Sequence, residues 1–397
     1  MNTMVKRERL KTTLCLYLNY LVHGMAIVIL AQNMLALENQ WGVDTAGVAY
    51  VISSLGIGRL LVLSVSGFLS DHFGRKIFVE LGVLTYIPFF IGIICSGNIT
   101  QAYFFGVLAG MANSFLDSGT YPALMELYPK AQSTANIVIK AFASIGELLL
   151  PILVGVLEKN FLWYGWSFVV CTLILIWNFL FLLKRKFPVG TSTKSSSTIA
   201  VPRVEAKGKK TQRIFLGIVL TIYGYISMAT FYLVSQWMTK YGEDIVHLDL
   251  MHARMLVSIY SAGSIIGVIV NAMLVNRMVK QTWLICGYTT ISFVILLLMA
   301  AYPSAQIMTW GSFIIGFTAA GGVMQIGLTV MSSLFPLHKG VVTGIYYTAG
   351  GVASFTIPLI TGIISRTNVH NIMWLDVCIA AMGLVCSLII VAMKKYL

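Results

Sequence analysis

Long apolar runs of about 20 residues recur along the sequence from Thr13 to near its end. A helix of that length spans the hydrocarbon core of a bilayer, and lipid admits only backbone whose hydrogen bonds are satisfied internally. The 397-residue chain is 58% hydrophobic and 10% charged, whereas soluble domains carry roughly 25% charged residues. The first run is too long for a cleaved signal peptide and lacks a small-residue cleavage site. We therefore predict an all-α membrane protein with twelve transmembrane helices.

Basic residues are concentrated on one side of the predicted membrane. If the chain starts in the cytoplasm, 21 lysines and arginines fall on the cytoplasmic side and 4 on the other. Cytoplasmic loops are normally the ones enriched in Lys and Arg. We therefore predict a multi-pass protein of the cell membrane with both termini cytoplasmic. This topology accounts for the net charge of +13, so no nucleic-acid partner is expected.

The two halves of the sequence repeat with a constant offset of 207 residues. The related positions are Ser54 and Ser261, Gly56 and Gly263, Pro129 and Pro336, Pro151 and Pro358, and Gly155 and Gly362. Between the halves, a basic and Ser/Thr-rich stretch predicts a flexible cytoplasmic linker. We predict two six-helix bundles related as parallel repeats, residues 1–185 and 213–397, joined by a linker at residues 186–212.

Four charged residues lie inside predicted spanning helices, where insertion costs about 2.5 to 3.5 kcal/mol each. Arg59 is in the second helix, Asp117 in the fourth, and Lys140 and Glu147 in the fifth. Lys140 and Glu147 are two turns apart and share a face. One interpretation is that these residues bind a solute and protons. The other is that Arg59 with Asp117, and Lys140 with Glu147, form neutralising pairs that only hold the first bundle together.

Polar and aromatic side chains on other helices would complete a solute cavity. The predicted solute-binding residues are Arg59, Asn113, Tyr121, Lys140, Tyr232, Gln236, Gln325 and Tyr347, and the predicted proton-coupling residues are Asp117, Glu147 and His23. Cations pair with carboxylates and aromatic faces stack on rings, so this set suits a small organic anion. The alternatives are a hydrogen-bonded structural role for His23 and simple packing for the aromatic residues of the seventh helix. Asp376, in the last helix, has no partner that the sequence identifies.

Motifs of enzymes and of metal or nucleotide sites are absent from the sequence. There is no G-x-x-x-x-G-K-[ST], HExxH or G-x-S-x-G, and the six cysteines lack metal-ligand spacing. We predict that the protein is not an enzyme, has no cofactor or metal, and works from an ion gradient.

Residues 67–79 read GFLSDHFGRKIFV and fit the pattern G-x-L-S-D-x-x-G-R-K-x-x-V. This pattern resembles the signature loop between the second and third helices of the major facilitator superfamily. An ordinary basic loop would explain Arg75 and Lys76 but not the two glycines and Asp71. We predict a tight turn at the membrane surface in which Gly67 and Gly74 let the helix ends approach.

The resemblance implies a cytoplasmic gate made of Gly67, Asp71, Gly74, Arg75, Lys76 and Glu126. In such a gate Asp71 would meet the start of the eleventh helix near Lys339 and Gly340, where backbone N–H groups favour an anion. Arg75 would pair with Glu126 at the inner end of the fourth helix.

One feature departs from the family pattern. Proton-coupled members often carry an arginine within the fourth helix, and the corresponding segment here, Val107–Ser118, has none. On the resemblance, Arg59 would take over the task of modulating a nearby carboxyl group.

Five further stretches are similar to a group of enterobacterial inner-membrane transport proteins within this superfamily. They are residues 19–25, 52–60, 112–126, 227–237 and 315–322. The resemblance implies a secondary transporter, and we predict that it moves a small organic solute, an organic or hydroaromatic acid, with protons by alternating access. The alternative is a proton-driven exporter of amphiphilic cations, in which Asp117 and Glu147 bind the substrate directly. The expected partners are the lipid bilayer, the solute and protons, and the expected state is a monomer.

Overall fold

The computed structural model describes residues 2–129, 132–185, 187, 207–276, 280–335 and 339–393. Within these residues the chain forms fourteen α-helices and no β-strand, which confirms the all-α prediction. The helices are α1 Asn2–Gln32, α2 Met34–Trp41, α3 Thr45–Phe73, α4 Arg75–Cys95, α5 Ile99–Leu127, α6 Gln132–Lys159, α7 Trp166–Leu183, α8 Lys207–Asp244, α9 Leu250–Asn276, α10 Gln281–Ala301, α11 Ala305–Ile315, α12 Val323–Leu334, α13 Lys339–Ser365 and α14 His370–Ala392.

Eleven segments of the described chain are helical, long and apolar enough to cross a membrane. One of them combines α11 and α12, which a π-helical segment at Gly316–Ala320 connects. Helix α5 corresponds to the remaining predicted crossing and is 29 residues long, but it contains Asp117 and Glu126 and is not among the eleven. The chain is thus a multi-pass membrane protein, and the count of twelve crossings stays a prediction.

Several helices begin at a polar side chain that accepts a hydrogen bond from the first turn. Asp44 Oδ1 accepts from the N–H of Gly47 at 2.9 Å at the start of α3. Asn98 Oδ1 accepts from the N–H of Gln101 at 3.0 Å at the start of α5. The first N–H groups of a helix lack partners within the helix, so these caps fix where α3 and α5 start.

The turn between α3 and α4 is shorter than the sequence predicts. Helix α3 continues through Phe73 and α4 starts at Arg75, so Gly74 alone forms the turn, with φ 98° and ψ 147°. This conformation is essentially restricted to glycine. Gly67 lies inside α3, and nothing lies within 4 Å of the position its Cβ would take. No neighbouring residue approaches Gly67 in this conformation, so the predicted close approach of the helix ends at Gly67 is not seen here.

Two other helix boundaries differ from the sequence prediction. The first predicted helix is interrupted at Asn33, between α1 and α2. Helix α8 starts at Lys207, inside the segment 186–212 that we predicted as a linker. Residues 188–206 of that segment lie outside the described residues.

The offset of 207 residues relates whole helices and not only single positions. Adding 207 to the bounds of α6 gives 339–366, and α13 is Lys339–Ser365; adding 207 to the bounds of α3 gives 252–280, and α9 is Leu250–Asn276. Helix α3 packs against α13, and α6 packs against α9. The offset exchanges these two contacts. The first half of the chain (α1–α7) and the second half (α8–α14) therefore meet through a matched pair of helix contacts. We call the whole interface between the two halves the seam.

The seam is tightly packed where α3 meets α13. A Cβ on Gly56 of α3 would collide with the backbone of Ser354 and Phe355 on α13. A small residue is therefore required at position 56 for the two backbones to approach this closely. We refer to the side of the molecule that contains Gly74 as the predicted cytoplasmic side and to the side that contains Asp44 as the predicted external side.

Candidate functional site

A buried ion pair joins α3 and α5. Arg59 Nη2 lies 3.4 Å from Asp117 Oδ2, and Tyr20 of α1 donates a hydrogen bond of 2.5 Å to Asp117 Oδ1. Arg59 is only 8% exposed, so the protein and not bulk water compensates its charge. The neutralising pair that the sequence offered as one interpretation is present.

The same arginine faces the second half of the chain across the seam. Its guanidinium group lies within electrostatic range of the phenol groups of Tyr232 on α8 and Tyr347 on α13. Both tyrosines are among the predicted solute-binding residues. We call Tyr20, Arg59, Asp117, Tyr232 and Tyr347 the central cluster, and it draws on both halves of the chain.

A second ion pair lies on one face of α6, as the spacing of its residues predicts. Lys140 Nζ lies 3.8 Å from Glu147 Oε1, which is too long for a hydrogen bond, and neither Glu147 oxygen has a hydrogen-bond partner in the described chain. Lys140 Nζ also lies 4.8 Å from the ring centre of Phe231 on α8, a cation–π contact across the seam. The Glu147 side chain is fully buried whereas the Lys140 side chain is 22% exposed, so Lys140 is the accessible partner.

His23 is held by a hydrogen bond within the first half of the chain. Its Nδ1 lies 2.6 Å from the hydroxyl of Tyr86 on α4, and its ring lies 5.5 Å from that of Tyr20, edge to face. This is the structural alternative that the sequence left open for His23. Through Tyr20 the histidine is nevertheless only one side chain from Asp117.

The remaining predicted solute-binding residues are not all brought together. Tyr121 packs edge to face on Tyr20 at 5.8 Å between ring centres. Asn113 is buried on α5, as is Gln236 on α8, whose amide has no hydrogen-bond partner in the described chain. Gln325 is exposed on α12, and its side chain makes no hydrogen bond within the described residues. The structure therefore gives no contact that joins Gln325 to the central cluster.

Two residues of this region were missed by sequence reasoning. Tyr20 lies three residues before His23, so the helical spacing of α1 places both on one face and could have identified Tyr20. Tyr86 has no such signal, because it belongs to another helix and only the tertiary packing brings it to His23.

The signature loop forms a compact set of ionic contacts at the predicted cytoplasmic side. Arg75 Nε lies 3.3 Å from Glu126 Oε1, which is the pairing that the family resemblance implies. Arg75 also pairs with Asp71, and Lys76 Nζ donates to the carbonyl of Leu183 at 2.8 Å. Asp71 is exposed, and the side chain of Lys339, near which the resemblance places it, lies outside the described part of the chain.

Polar contacts connect the two halves at the predicted external side. Arg254 of α9 pairs with Glu158 of α6 and donates to the carbonyl of Gln32 at 3.2 Å. Arg366, after α13, pairs with Asp44 at 2.9 Å between Nε and Oδ2. These contacts close the external end of the seam.

Asp44 has a shifted pKa because of this contact. Partial burial alone would raise the pKa of its carboxyl, but hydrogen bonds from Arg366 and from the N–H of Gly47 favour the charged form and lower the pKa below its usual value. Asp44 is therefore ionised at neutral pH and available as the anionic half of the contact.

Comparisons with known proteins agree with this architecture. The family model described as Major Facilitator Superfamily matches residues 12–358 and, in a second match, residues 247–395. The chain belongs to the Major Facilitator Superfamily.

Two curated relatives come from Escherichia coli strain K12. The inner membrane transport protein YdiM is 47% identical over 389 residues, covering 97% of this chain and 95% of YdiM. The inner membrane transport protein YdiN is 38% identical over 378 residues, covering 95% of this chain and 89% of YdiN. The similarity to inner-membrane transport proteins that five sequence stretches indicated is confirmed.

The solved structure of a D-xylose-proton symporter is similar to this chain with a TM-score of 0.79. The alignment covers 98% of each chain at 13% sequence identity. At this identity the match establishes the fold and carries no information on the solute.

Proposed function

We propose that this protein is a secondary active transporter that moves a small organic acid together with protons. The observation that carries the proposal is the position of the central cluster, where the buried Arg59–Asp117 pair of the first half lies within electrostatic range of Tyr232 and Tyr347 of the second half. Buried ionisable residues in membrane proteins normally mark a pathway for a solute or an ion. A site shared by two repeats is also where transporters of this architecture bind their solutes.

The charges at the seam favour an anionic solute with an apolar body. Arg59 offers a planar, bidentate donor for a carboxylate, and Lys140 is a second cation whose side chain is 22% exposed. The ring of Phe231 supplies flat apolar surface beside Lys140, and Tyr232 and Tyr347 are aromatic residues within electrostatic range of Arg59. A ring-bearing carboxylate uses both features, and hydroaromatic acids are the class that we propose.

Charge balance provides the coupling to protons. The Arg59–Asp117 pair is neutral as a unit, so a carboxylate that binds Arg59 brings one uncompensated negative charge into a desolvated site. Such a charge costs several kcal/mol unless it is compensated. A proton on Asp117 restores neutrality, and Glu147 performs the same task beside Lys140. In this mechanism solute and proton bind together because neither alone leaves the site neutral.

Alternating access requires that the seam opens on one side at a time. The pairs Arg254–Glu158 and Arg366–Asp44 hold the predicted external side together, which supports a conformation that is closed on that side. We propose twelve crossings in two six-helix bundles, residues 1–185 and 213–397, with both termini cytoplasmic, and Arg75 with Glu126 as part of a gate on that side.

Uptake into proteoliposomes tests the proposal. A panel of hydroaromatic acids, aromatic acids, sugars, amines and amino acids is first screened for compounds that raise the melting temperature in detergent, since a ligand stabilises the state that it binds. Compounds that stabilise are then assayed for accumulation driven by an imposed proton gradient. We expect organic acids to be accumulated and Asp117→Asn to abolish gradient-driven accumulation.

The matched control is Asp244→Asn, which removes an acid from a pair with Lys240 at the end of α8, about three helical turns beyond Tyr232 of the central cluster. It should transport as the wild type does. Full gradient-driven accumulation by Asp117→Asn would exclude the proton role of Asp117. Stabilisation by amphiphilic cations, with no response to acids, would instead identify the protein as a cation exporter.

A further inference from the structure

Asp376 of α14 is a buried carboxyl group that the transport mechanism above does not use. It is 1% exposed. Thr230 of α8 donates a hydrogen bond of 2.8 Å to Asp376 Oδ1, whereas Oδ2 has no hydrogen-bond partner among the described residues. No ion pair with Asp376 occurs in the part of the chain that the structure describes. The group is thus enclosed with one neutral donor and no counter-charge.

Such surroundings fit a protonated carboxyl group far better than an ionised one. A carboxylate moved from water into a protein interior costs several kcal/mol even after relaxation, and a single neutral hydrogen bond offsets only about 0.5 to 1.5 kcal/mol of that cost. A neutral acid avoids most of this penalty. We propose that Asp376 is a proton-binding site in the second half of the chain, separate from Asp117 and Glu147, and that it holds a proton in this conformation.

The proton is placed by the hydrogen bonds that are already made. Thr230 occupies Oδ1, so the incoming proton binds Oδ2, whose lone pairs are free. Binding converts the carboxylate into a carboxylic acid and leaves the Thr230 hydrogen bond in place. Release returns the carboxylate, to which the same hydrogen bond becomes stronger because its acceptor is charged.

The residues around Asp376 supply no positive charge that would stabilise its ionised form. Tyr241 of α8 shares a cleft between α8 and α14 with Asp376, and Tyr260 of α9 lies within electrostatic range of it. Both are phenols, which are neutral near pH 7. Helix α10 contains no charged residue, and the one charged residue of α13, Lys339, is at the predicted cytoplasmic end of that helix.

Asp376 lies in the wall of a cleft between α8 and α14, in the part of both helices that is nearer the predicted external side. The cleft is small, with a free volume of about 10 Å³, and is lined by Leu233, Val234, Trp237, Met238, Tyr241, Ile372, Met373 and Asp376. The hydroxyl of Tyr241 lies 2.8 Å from Nδ1 of His370, which is half-buried at the start of α14. His370 and Tyr241 thus provide exchangeable protons between the external side and the cleft.

Thr230 links this site to the central cluster. It immediately precedes Phe231, whose ring lies under Lys140, and Tyr232, a member of the central cluster. When Asp376 releases its proton, the hydrogen bond from Thr230 of α8 to Asp376 of α14 becomes stronger, and this bond lies next to these two residues. This coupling rests on the proposed transport function, whereas the protonated state of Asp376 does not.

Infrared difference spectroscopy of the purified wild type and Asp376→Asn tests the site directly. At pH 7 the wild-type minus variant spectrum should contain the C=O stretching band of a protonated carboxylic acid, and Asp117→Asn should retain it. Thr230→Val keeps the carboxyl group and the side-chain volume but removes the donor, so it should shift the band. Carboxylate stretching bands in place of the C=O band, with or without Na⁺, would overturn the proposal.

The spectroscopic result is independent of the solute. If the panel of organic acids fails, the band still reports whether Asp376 is protonated, and the proposed function fails alone. Should Asp376→Asn fail to fold, the Thr230→Val spectrum decides, because an ionised Asp376 leaves the C=O region unchanged when Thr230 is replaced.

Discussion

Gln32 of α1 and Thr239 of α8 are related by the 207-residue offset and also form a hydrogen bond with each other, 3.0 Å from Nε2 to Oγ1. Two equivalent positions of a repeat can touch only where the repeats meet on their common axis. The pair therefore marks the axis between the halves at the predicted external end of α1 and α8. Both side chains are buried, at 2% and 6% exposure, so this end of the seam is closed.

A cross-link between these two positions should stop transport. We expect Gln32→Cys/Thr239→Cys, made in a background without the six native cysteines, to be inactivated by a short bifunctional thiol reagent and reactivated when a cleavable reagent is cut. The physical reason is that opening the external side must separate α1 from α8 at the axis. Solute uptake into proteoliposomes before cross-linking, after it and after cleavage is the measurement.

The matched control is Asn33→Cys/Ser167→Cys. These neighbouring side chains also hydrogen bond, at 3.2 Å, but both belong to the first half of the chain. Their cross-link should leave uptake intact. Equal uptake by the cross-linked and free Gln32→Cys/Thr239→Cys protein would show that the external end does not open.

The Asp44–Arg366 contact should give the protein a small, acid-sensitive part of its stability. Because the pKa of Asp44 is lowered, its contribution is fully present above the usual aspartate pKa of about 3.9 and is lost as pH falls through the lowered value. Both side chains are more than half exposed, which limits the contribution to about 0.2 to 1 kcal/mol. Asp44→Asn retains an acceptor for the α3 cap and removes only the charge.

Unfolding midpoints in detergent measure this contribution. The wild type should have the higher midpoint at pH 7, and its advantage over Asp44→Asn should shrink progressively as pH falls below about 4. Arg366→Gln should behave in the same way, and the double variant should be no less stable than either single one. A difference that stays constant with pH would mean that the charge of Asp44 is not responsible.

Much of the fold could be predicted because lipid imposes simple rules on sequence. Apolar length identifies the helices, and the 207-residue repeat identifies which helices are equivalent, as α6 and α13 illustrate. The exact ends of helices escaped prediction where one backbone conformation decides them, as at Gly74, or where an interruption occurs inside an apolar run, as at Asn33.

The charged residues of the candidate site could also be predicted, but the neutral side chains that hydrogen bond to its buried polar groups could not. A charge in an apolar helix stands out, and the spacing of Lys140 and Glu147 gives their shared face. Tyr86 beside His23 and Thr230 beside Asp376 are contacts between helices far apart in sequence. The hydropathy of a sequence does not indicate which hydroxyl group on one helix will lie next to a buried polar group on another. Such contacts are therefore seen only in the packed structure.

The Arg59–Asp117 pair should show charge compensation. Arg59→Gln and Asp117→Asn each leave a buried charge without its partner, which should reduce the free energy of unfolding by on the order of 3 kcal/mol. The double variant Arg59→Gln/Asp117→Asn removes both charges and should recover most of that loss, while uptake stays abolished in all three. Thermal or denaturant unfolding in detergent, with uptake in proteoliposomes, separates the two effects.

The partly exposed pair Lys240–Asp244 serves as the control, since its side chains are 25% and 33% exposed. Lys240→Gln and Asp244→Asn should each change stability by less than about 1 kcal/mol. A double variant of the buried pair that is as unstable as its single variants would show that Arg59 and Asp117 do not neutralise each other.

The two glycines of the signature loop should respond in opposite ways to alanine. Gly74 has φ 98° and ψ 147°, a region that costs a residue with a Cβ on the order of 1 to 3 kcal/mol. Gly67 is helical and has open space around it, so alanine there should be neutral or should stabilise the helix by up to about 1 kcal/mol. We expect Gly74→Ala to lower the melting temperature in detergent and Gly67→Ala to leave it unchanged or raise it. Uptake by Gly67→Ala then reports on the gate alone. Loss of transport at unchanged stability would mean that α3 approaches a neighbouring helix at Gly67 in another conformation of the transport cycle. A side chain at position 67 would block that approach.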